Sequence, residues 1–239
     1  MIEGGCLSAG IFYLKHPPSR RVADPVKQYQ GKMDFKLTIF SDYIWPWCYV
    51  GQGVVEKLKE EHNVKVEWRP FYLYLDTPPE GRELPERVKR ARANGSEERL
   101  KSMANSYGIE FVSTKRIYNT RLAHEATEYA RAHGSGNEFH KVLFHKIYAE
   151  GQDISQWDVL RAAAEEVGLD PDEIQREVES EKYTAHVADQ VRWAYQIGVT
   201  GVPTYVINNR YAIVGAQPYE VFKAALEQIA DQKDWQILI

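Results

Sequence analysis

The chain has 239 residues, 44% of them hydrophobic and 27% charged, with a formal net charge of −4. That balance suits a soluble globular chain with an ample core and lacks the basic stripe of a nucleic-acid binder. No apolar run nears the roughly 20 residues of a membrane helix, and two cysteines, Cys6 and Cys48, make no disulfide framework.

Residues 1–32 show no sustained period, and their apolar patch around Ile11 to Leu14 is too brief for a secretory signal. They are expected to form an extended or disordered arm ahead of Met33. Alternation then begins: Phe35-Lys36-Leu37-Thr38-Ile39-Phe40 reads as a buried strand. Ser41 and Asp42 interrupt it, and Pro46 suits a first helical position, where its missing N–H is no loss. Val50, Val54, Val55 and Leu58 mark the apolar side of the helix that follows, over 46–62. Val64–Phe71 alternates again and closes on a proline, completing a βαβ unit whose strands run parallel.

Residues 72–85 form a loop, since Pro78-Pro79-Glu80-Gly81 continues neither kind of element. Helical signals dominate from Pro85 to Gly198, where stretches over 85–94, 97–107, 119–133, 138–150, 157–167, 171–180 and 182–197 follow one another. The block has no strand of its own and no low-complexity flank, so it reads as an insertion packed on a sheet. Strand vocabulary returns in Val202–Gly215, two short strands around Asn208-Asn209, a type I′ hairpin signal. Pro218 opens a last helix over 218–232. Three parts are predicted: the arm over 1–32, a sheet domain formed by 33–77 with 199–232, and a helical lid over 78–198.

Five segments in order carry a family resemblance. They are Asp42 through Gly51, Asn119-Thr120-Arg121-Leu122-Ala123-His124, Glu150-Gly151-Gln152-Asp153-Ile154-Ser155, Gly198-Val199-Thr200-Gly201-Val202-Pro203-Thr204 and Val214-Gly215-Ala216-Gln217-Pro218. Over residues 34 to 230 the chain resembles DsbA-family thioredoxin-like proteins, in the branch related to FrnE dithiol–disulfide isomerases, 2-hydroxychromene-2-carboxylate isomerases and kappa-class glutathione transferases. The resemblance implies an α/β fold, a thioredoxin-like βαβ…ββα sheet with a large all-helical insertion. It also implies partners that are protein or peptide thiols and disulfides, or glutathione, and neither nucleic acid nor membrane.

In such proteins two cysteines bracket the turn into the first helix. Here the bracket reads Trp45-Pro46-Trp47-Cys48, so an indole stands at the leading thiol position. There the helix dipole and free N–H groups would have stabilised a thiolate. Cys48 takes the second, more buried place, where apolar surroundings raise a thiol's pKa and slow its reactions. It reads either as a small buried side chain or as a one-cysteine site. The resemblance further implies a cis Val202–Pro203 peptide facing this turn, with the Val202 backbone open to an extended peptide or glutathione. Gln217, at the start of the last helix, is expected to help hold a glutathione carboxylate. Family relatives that use glutathione place a serine at position 45, and an indole N–H, a donor only, cannot replace it.

Tyr43, Trp45 and Trp47 are expected to wall a binding platform, with Asn119 and His124 facing the cleft from the lid or serving as a helix cap and a core histidine. His140 and His145 are five apart, the wrong spacing for a helical metal pair. Asp170-Pro171 reads as a helix start, and the basic run Arg87–Arg92 as a solvated face. Three functions stay open: a cytoplasmic thiol–disulfide oxidoreductase or isomerase with a degenerate motif and weak or redirected activity, a glutathione-dependent isomerase or transferase, or a non-catalytic peptide-binding module. None requires a resident cofactor, and glutathione could supply the missing thiol.

Overall fold

A computed structural model describes residues 11–13, 28–29 and 32–231, and strand β3 within it is the spine. The strand numbers follow chain order: β1 is Ile11–Tyr13, β2 is Gln28–Tyr29 and β3 is Lys32–Ser41. Leu37 and Ile39 point to one side of β3, Thr38 and Phe40 to the other, and all four are buried. A strand buried on both faces needs a layer on each side, and this one has them.

One edge of β3 pairs in parallel with β4, Asn63–Pro70, matching Leu37 with Val66 and Ile39 with Trp68. The crossover is helix α1, Pro46–Glu61. β5, Arg82–Glu83, and β6, Arg116–Ile117, form a separate two-residue ladder. The other edge of β3 pairs antiparallel with β7, Thr204–Ile207, which returns as β8, Tyr211–Val214. Asn208 and Asn209 have φ of 51° and 56°, the double left-handed turn that type I′ demands. Asn208 also exchanges two hydrogen bonds with the Lys36 backbone, which pins the hairpin tip to β3.

Two short pieces of the N-terminal arm are strands: β1 adds antiparallel to β8, and β2 pairs with the start of β3. The rest of residues 1–31 lies outside the described residues. The β5–β6 ladder is a second difference from expectation, because the block between β4 and β7 was expected to hold no strand.

One layer over the sheet is α1 with α9, Tyr219–Asp231, where Val54, Val55 and Leu58 meet Phe222, Leu226 and Ile229 over Leu37 and Ile39. The opposite layer is the insertion: α2 Glu86–Ala91, α3 Glu97–Ser106, α4 Arg121–Ala132, α5 Gly136–Tyr148, α6 Trp157–Glu166, α7 Pro171–Glu179 and α8 Thr184–Gln196. Its core is aromatic. Phe40 and Tyr43 from the sheet side join Phe139, Phe144 and Tyr148, all at most 1% exposed. Each such side chain contributes about 1.5–3 kcal/mol of apolar burial, against at most about 1 kcal/mol for an exposed ion pair. Apolar packing therefore holds the insertion on the sheet. Asp170 caps α7 by accepting from the Asp172 and Glu173 amides, as an Asp-Pro helix start should.

Candidate functional site

The turn from β3 into α1 is built by Asp42. Its carboxylate is 1% exposed and accepts from Leu73 N at 2.7 Å, Thr120 Oγ1 at 2.9 Å and Ile44 N at 3.3 Å. His124 Nε2 lies 3.5 Å from Oδ1 of the same group. One buried carboxylate thus ties the start of the helix to the loop after β4 and to the first turn of α4. The Asp42 carbonyl then accepts from Trp45 N at 3.0 Å, and Trp45 O accepts from Cys48 N at 2.9 Å. Asp42 belongs to the matched segment, but nothing in the spacing marked it as the residue that positions the others.

Trp45 is the N-cap of α1, with extended backbone and no side-chain cap, and the first turn carries no acidic residue. Its indole packs on the aromatic core of the insertion, while Trp47 packs over Val50, Leu100 and Ala104. Cys48 follows one turn in and is 0% exposed. Burial pushes its thiol up from 9.0 to about 12, and the Asp42 backbone N–H and the Ser41 hydroxyl on the sulfur's side pull it down only in part. Among the described residues the Ser41 hydroxyl has no hydrogen-bond partner of ordinary geometry. The Tyr148 and Tyr205 hydroxyls, also unpartnered, are raised well above the usual tyrosine range, chiefly by burial and secondarily by the nearby sulfur.

The Val202–Pro203 peptide is cis. Gly51, on the next turn of α1, brings the helix under this segment: a β-carbon there would collide with Tyr205 Oη and stand 3.9 Å from Pro203 Cγ. Pro203 O accepts from Gly215 N at 2.8 Å, and Thr204 Oγ1 donates to Gly201 O at 2.7 Å. The Val202 backbone makes no hydrogen bond among the described residues, although its side chain is only 7% exposed. Gln217 is committed locally, its Nε2 donating to Val214 O and its backbone N–H to Gly215 O.

A cavity of about 280 Å³ opens beside the turn. Trp45, Pro46, Trp47, Tyr74, Leu100 and Phe111 are among the residues that line it. Arg87 and Arg92 line it too, so the basic run is not simply a solvated face. Arg87 Nη2 donates to Tyr74 Oη at 2.9 Å, and Arg92 Nη1 to Thr114 O at 2.8 Å. The break at Asn94–Gly95, where Gly95 has φ of 85°, bends α2 away from α3 and leaves room between them.

Tyr43 is elsewhere, and Asn119 and His124 follow the second of their two expected readings, at a helix start and in the core. Tyr43 is 1% exposed and no wall of the cavity; its hydroxyl pairs with Thr127 Oγ1 and its ring packs on His124 and His140. His124 is 5% exposed behind the turn, the core histidine of its two expected readings, with Nε2 3.5 Å from Asp42 Oδ1. Asn119 lines a separate cavity of about 200 Å³, with its amide donating to Thr77 O and its oxygen accepting from Arg121 N. His140 is buried on the Trp68 ring, and burial holds it well below the usual histidine pKa. Arg87 and Arg92 read as a solvated face and Leu100 and Phe111 carried no signal, because it is loops and a helix break that bring all four to the turn.

The family model for the DSBA-like thioredoxin domain matches residues 36–227. The chain belongs to that family. Among relatives of this DSBA-like protein is YwbO of Bacillus subtilis (strain 168), 29% identical over 204 residues, covering 84% of this chain and 100% of that one. The 2-hydroxychromene-2-carboxylate isomerase of Sphingobium xenophagum is 25% identical over 184 residues, covering 73% and 89% of the two chains. Among solved structures, a probable DsbA oxidoreductase from Streptomyces coelicolor superposes with a TM-score of 0.77 at 26% identity, covering 86% of this chain and 94% of that one. The thioredoxin-like α/β fold of this DSBA-like chain, with its helical insertion, follows from both the sheet order and these likenesses.

Proposed function

We propose that this DSBA-like protein is a thiol–disulfide oxidoreductase or isomerase relative whose dithiol chemistry is disabled at Trp45, leaving weak or redirected activity. The observation that carries the reading is the placement of Cys48. It is fully buried one turn behind an indole that occupies the helix tip. Dithiol exchange needs an exposed thiolate to attack and a second thiol to resolve the mixed disulfide. An N-cap indole supplies neither, and a thiol pushed up to about 12 keeps its proton at neutral pH.

The binding half of the site is better preserved. The unpaired Val202 backbone beside Pro203 suits an extended peptide or glutathione, which would add to it as a short strand. Gln217 is a weaker contact than expected, because one of its amide protons is spent on Val214 O. No resident cofactor enters this reading, and glutathione is a thiol brought in rather than held. A single cysteine among the described residues, buried and unpaired, suits a reducing cytoplasm.

Insulin reduction tests the reading. The parent chain is expected to show no turnover above the dithiothreitol background, and Trp45→Cys, which restores two thiols around Pro46 and Trp47, to raise it at least about tenfold. Robust turnover by the parent would overturn the reading.

A further inference from the structure

We propose that Asn94 is a site of covalent modification, where the side-chain amide closes on the Gly95 nitrogen and then opens to aspartate and isoaspartate. Of the chain's asparagines only Asn94 precedes a glycine. Glycine matters here because it carries no β-carbon to shield its own nitrogen from the preceding side chain.

The structure supplies the freedom that this ring closure needs. Asn94 is exposed and sits in the break between α2 and α3, with φ of −90° and ψ of 22°. That is the bridge region, so helical geometry does not hold the Asn94–Gly95 link. A β-carbon built on Gly95 would meet only the tips of long side chains, Arg99 Nη1 at 3.7 Å and Glu98 Oε2 at 3.9 Å. Approach to its nitrogen is therefore open. Other asparagines are tied down. The amides of Asn63, Asn119 and Asn137 donate to Asp34 Oδ1, Thr77 O and Val66 O, and Asn208 Oδ1 accepts from Lys36 N. The Asn94 side chain makes no hydrogen bond among the described residues.

The chemistry needs only water as co-reactant. The Gly95 nitrogen attacks Asn94 Cγ and forms a cyclic imide, and the proton it gives up leaves with the side-chain nitrogen as ammonia. Water then breaks one of the two imide C–N bonds. Opening at Cγ gives aspartate. Opening at the main-chain carbonyl gives isoaspartate, whose backbone runs through Cβ and Cγ and is longer by a methylene. Either product carries a new negative charge. Ala91 and Arg92 before the break, and Ser96 and Leu100 after it, line the cavity beside the turn. The modification thus alters the segment that joins two runs of its lining residues.

Incubation of the full chain at pH 8, below its melting temperature, followed by tryptic mapping tests it, with an unincubated sample as the zero point. Cleavage after Arg92 and Arg99 releases Ala93–Arg99. Conversion shows there as a gain of about 1 Da and as new peaks matching synthetic aspartyl and isoaspartyl standards. Native Asn94 should convert within about threefold of the rate in the same free peptide, because the break needs no unfolding to react. It should outpace Asn105, which precedes Ser106 inside α3, by at least about tenfold. Asn94→Gln should abolish the new peaks with an unchanged melting temperature. An Asn94 that stays intact in the native chain while the free peptide converts would overturn the proposal. So would conversion of Asn105 at an equal rate.

Discussion

Tyr205 Oη occupies the space that a β-carbon at residue 51 would need, so Gly51 is what lets α1 lie against the start of β7. The hydroxyl has no hydrogen-bond partner among the described residues, and it forms the nearest obstacle, with Cζ at a comfortable 3.5 Å. Gly51→Ala should therefore destabilise the chain by about 1–3 kcal/mol through overpacking. Tyr205→Phe removes the obstructing oxygen and leaves no donor or acceptor stranded. The double variant should recover most of the loss, and a denaturant-melt cycle of the four proteins checks it. Additive losses would show that the strain lies elsewhere.

Asp42 is the buried anchor of the turn. Asp42→Ala strands the Leu73 amide and the Thr120 hydroxyl, and removes the group beside His124. Hydrogen bonds to a charged acceptor contribute about 1.5–3 kcal/mol each, so a loss of about 3 kcal/mol or more is expected. In a chain of this size that lowers the melting temperature by about 6–12 °C. Asp42→Asn keeps one acceptor oxygen and should lie between the two. Thermal unfolding followed by circular dichroism measures all three.

Cys48 gives stability a pH dependence of known sign. Below its ordinary value of 9.0 the thiol is protonated in both folded and unfolded chains, and its contribution is constant. Between 9.0 and about 12 the unfolded chain releases the proton while the folded chain keeps it. Stability therefore falls as pH rises, by about 1.4 kcal/mol per unit from this group. Tyr43 and Tyr72, raised mainly by burial, act in the same direction at higher pH. Urea melts of the parent and Cys48→Ala from pH 8 to 11 separate the thiol, because the variant's curve should be shallower by that amount. Parallel curves would contradict the buried position.

The same burial predicts slow labelling. In a Cys6→Ser background, Cys48 should react with a disulfide reagent at pH 8 at least about a hundredfold more slowly in the native chain than in denaturant, with a rate that follows opening of the structure. Equal rates would place the sulfur at the surface.

The sheet was legible because its signals are local. Period-2 runs around Ile39 and Val66, the Pro46 helix start and the Asn208-Asn209 turn each encode their own geometry within a few residues. The same holds for the indole at 45, since its position relative to Pro46 and Cys48 is counted along the chain. The lid was legible as helices, but not the short ladder between Arg82 and Ile117, because two-residue strands carry no period.

The site divided along the same line. Trp45 and Cys48 were marked by spacing alone, whereas Tyr43 and His124 carry the same kind of side chain whether they face a cleft or a core. Their burial was decided by α4 and α5 closing over the turn, which depends on contacts some 80 residues apart, such as Tyr43 with Thr127. Arg87 and Phe111 met the indoles through the bend at Gly95. By itself the amino-acid order determined the longer strands and the helices, and that one thiol position is an indole. Only tertiary packing decided what surrounds that indole, because a cavity is made by side chains that nothing in their own stretch of chain brings together.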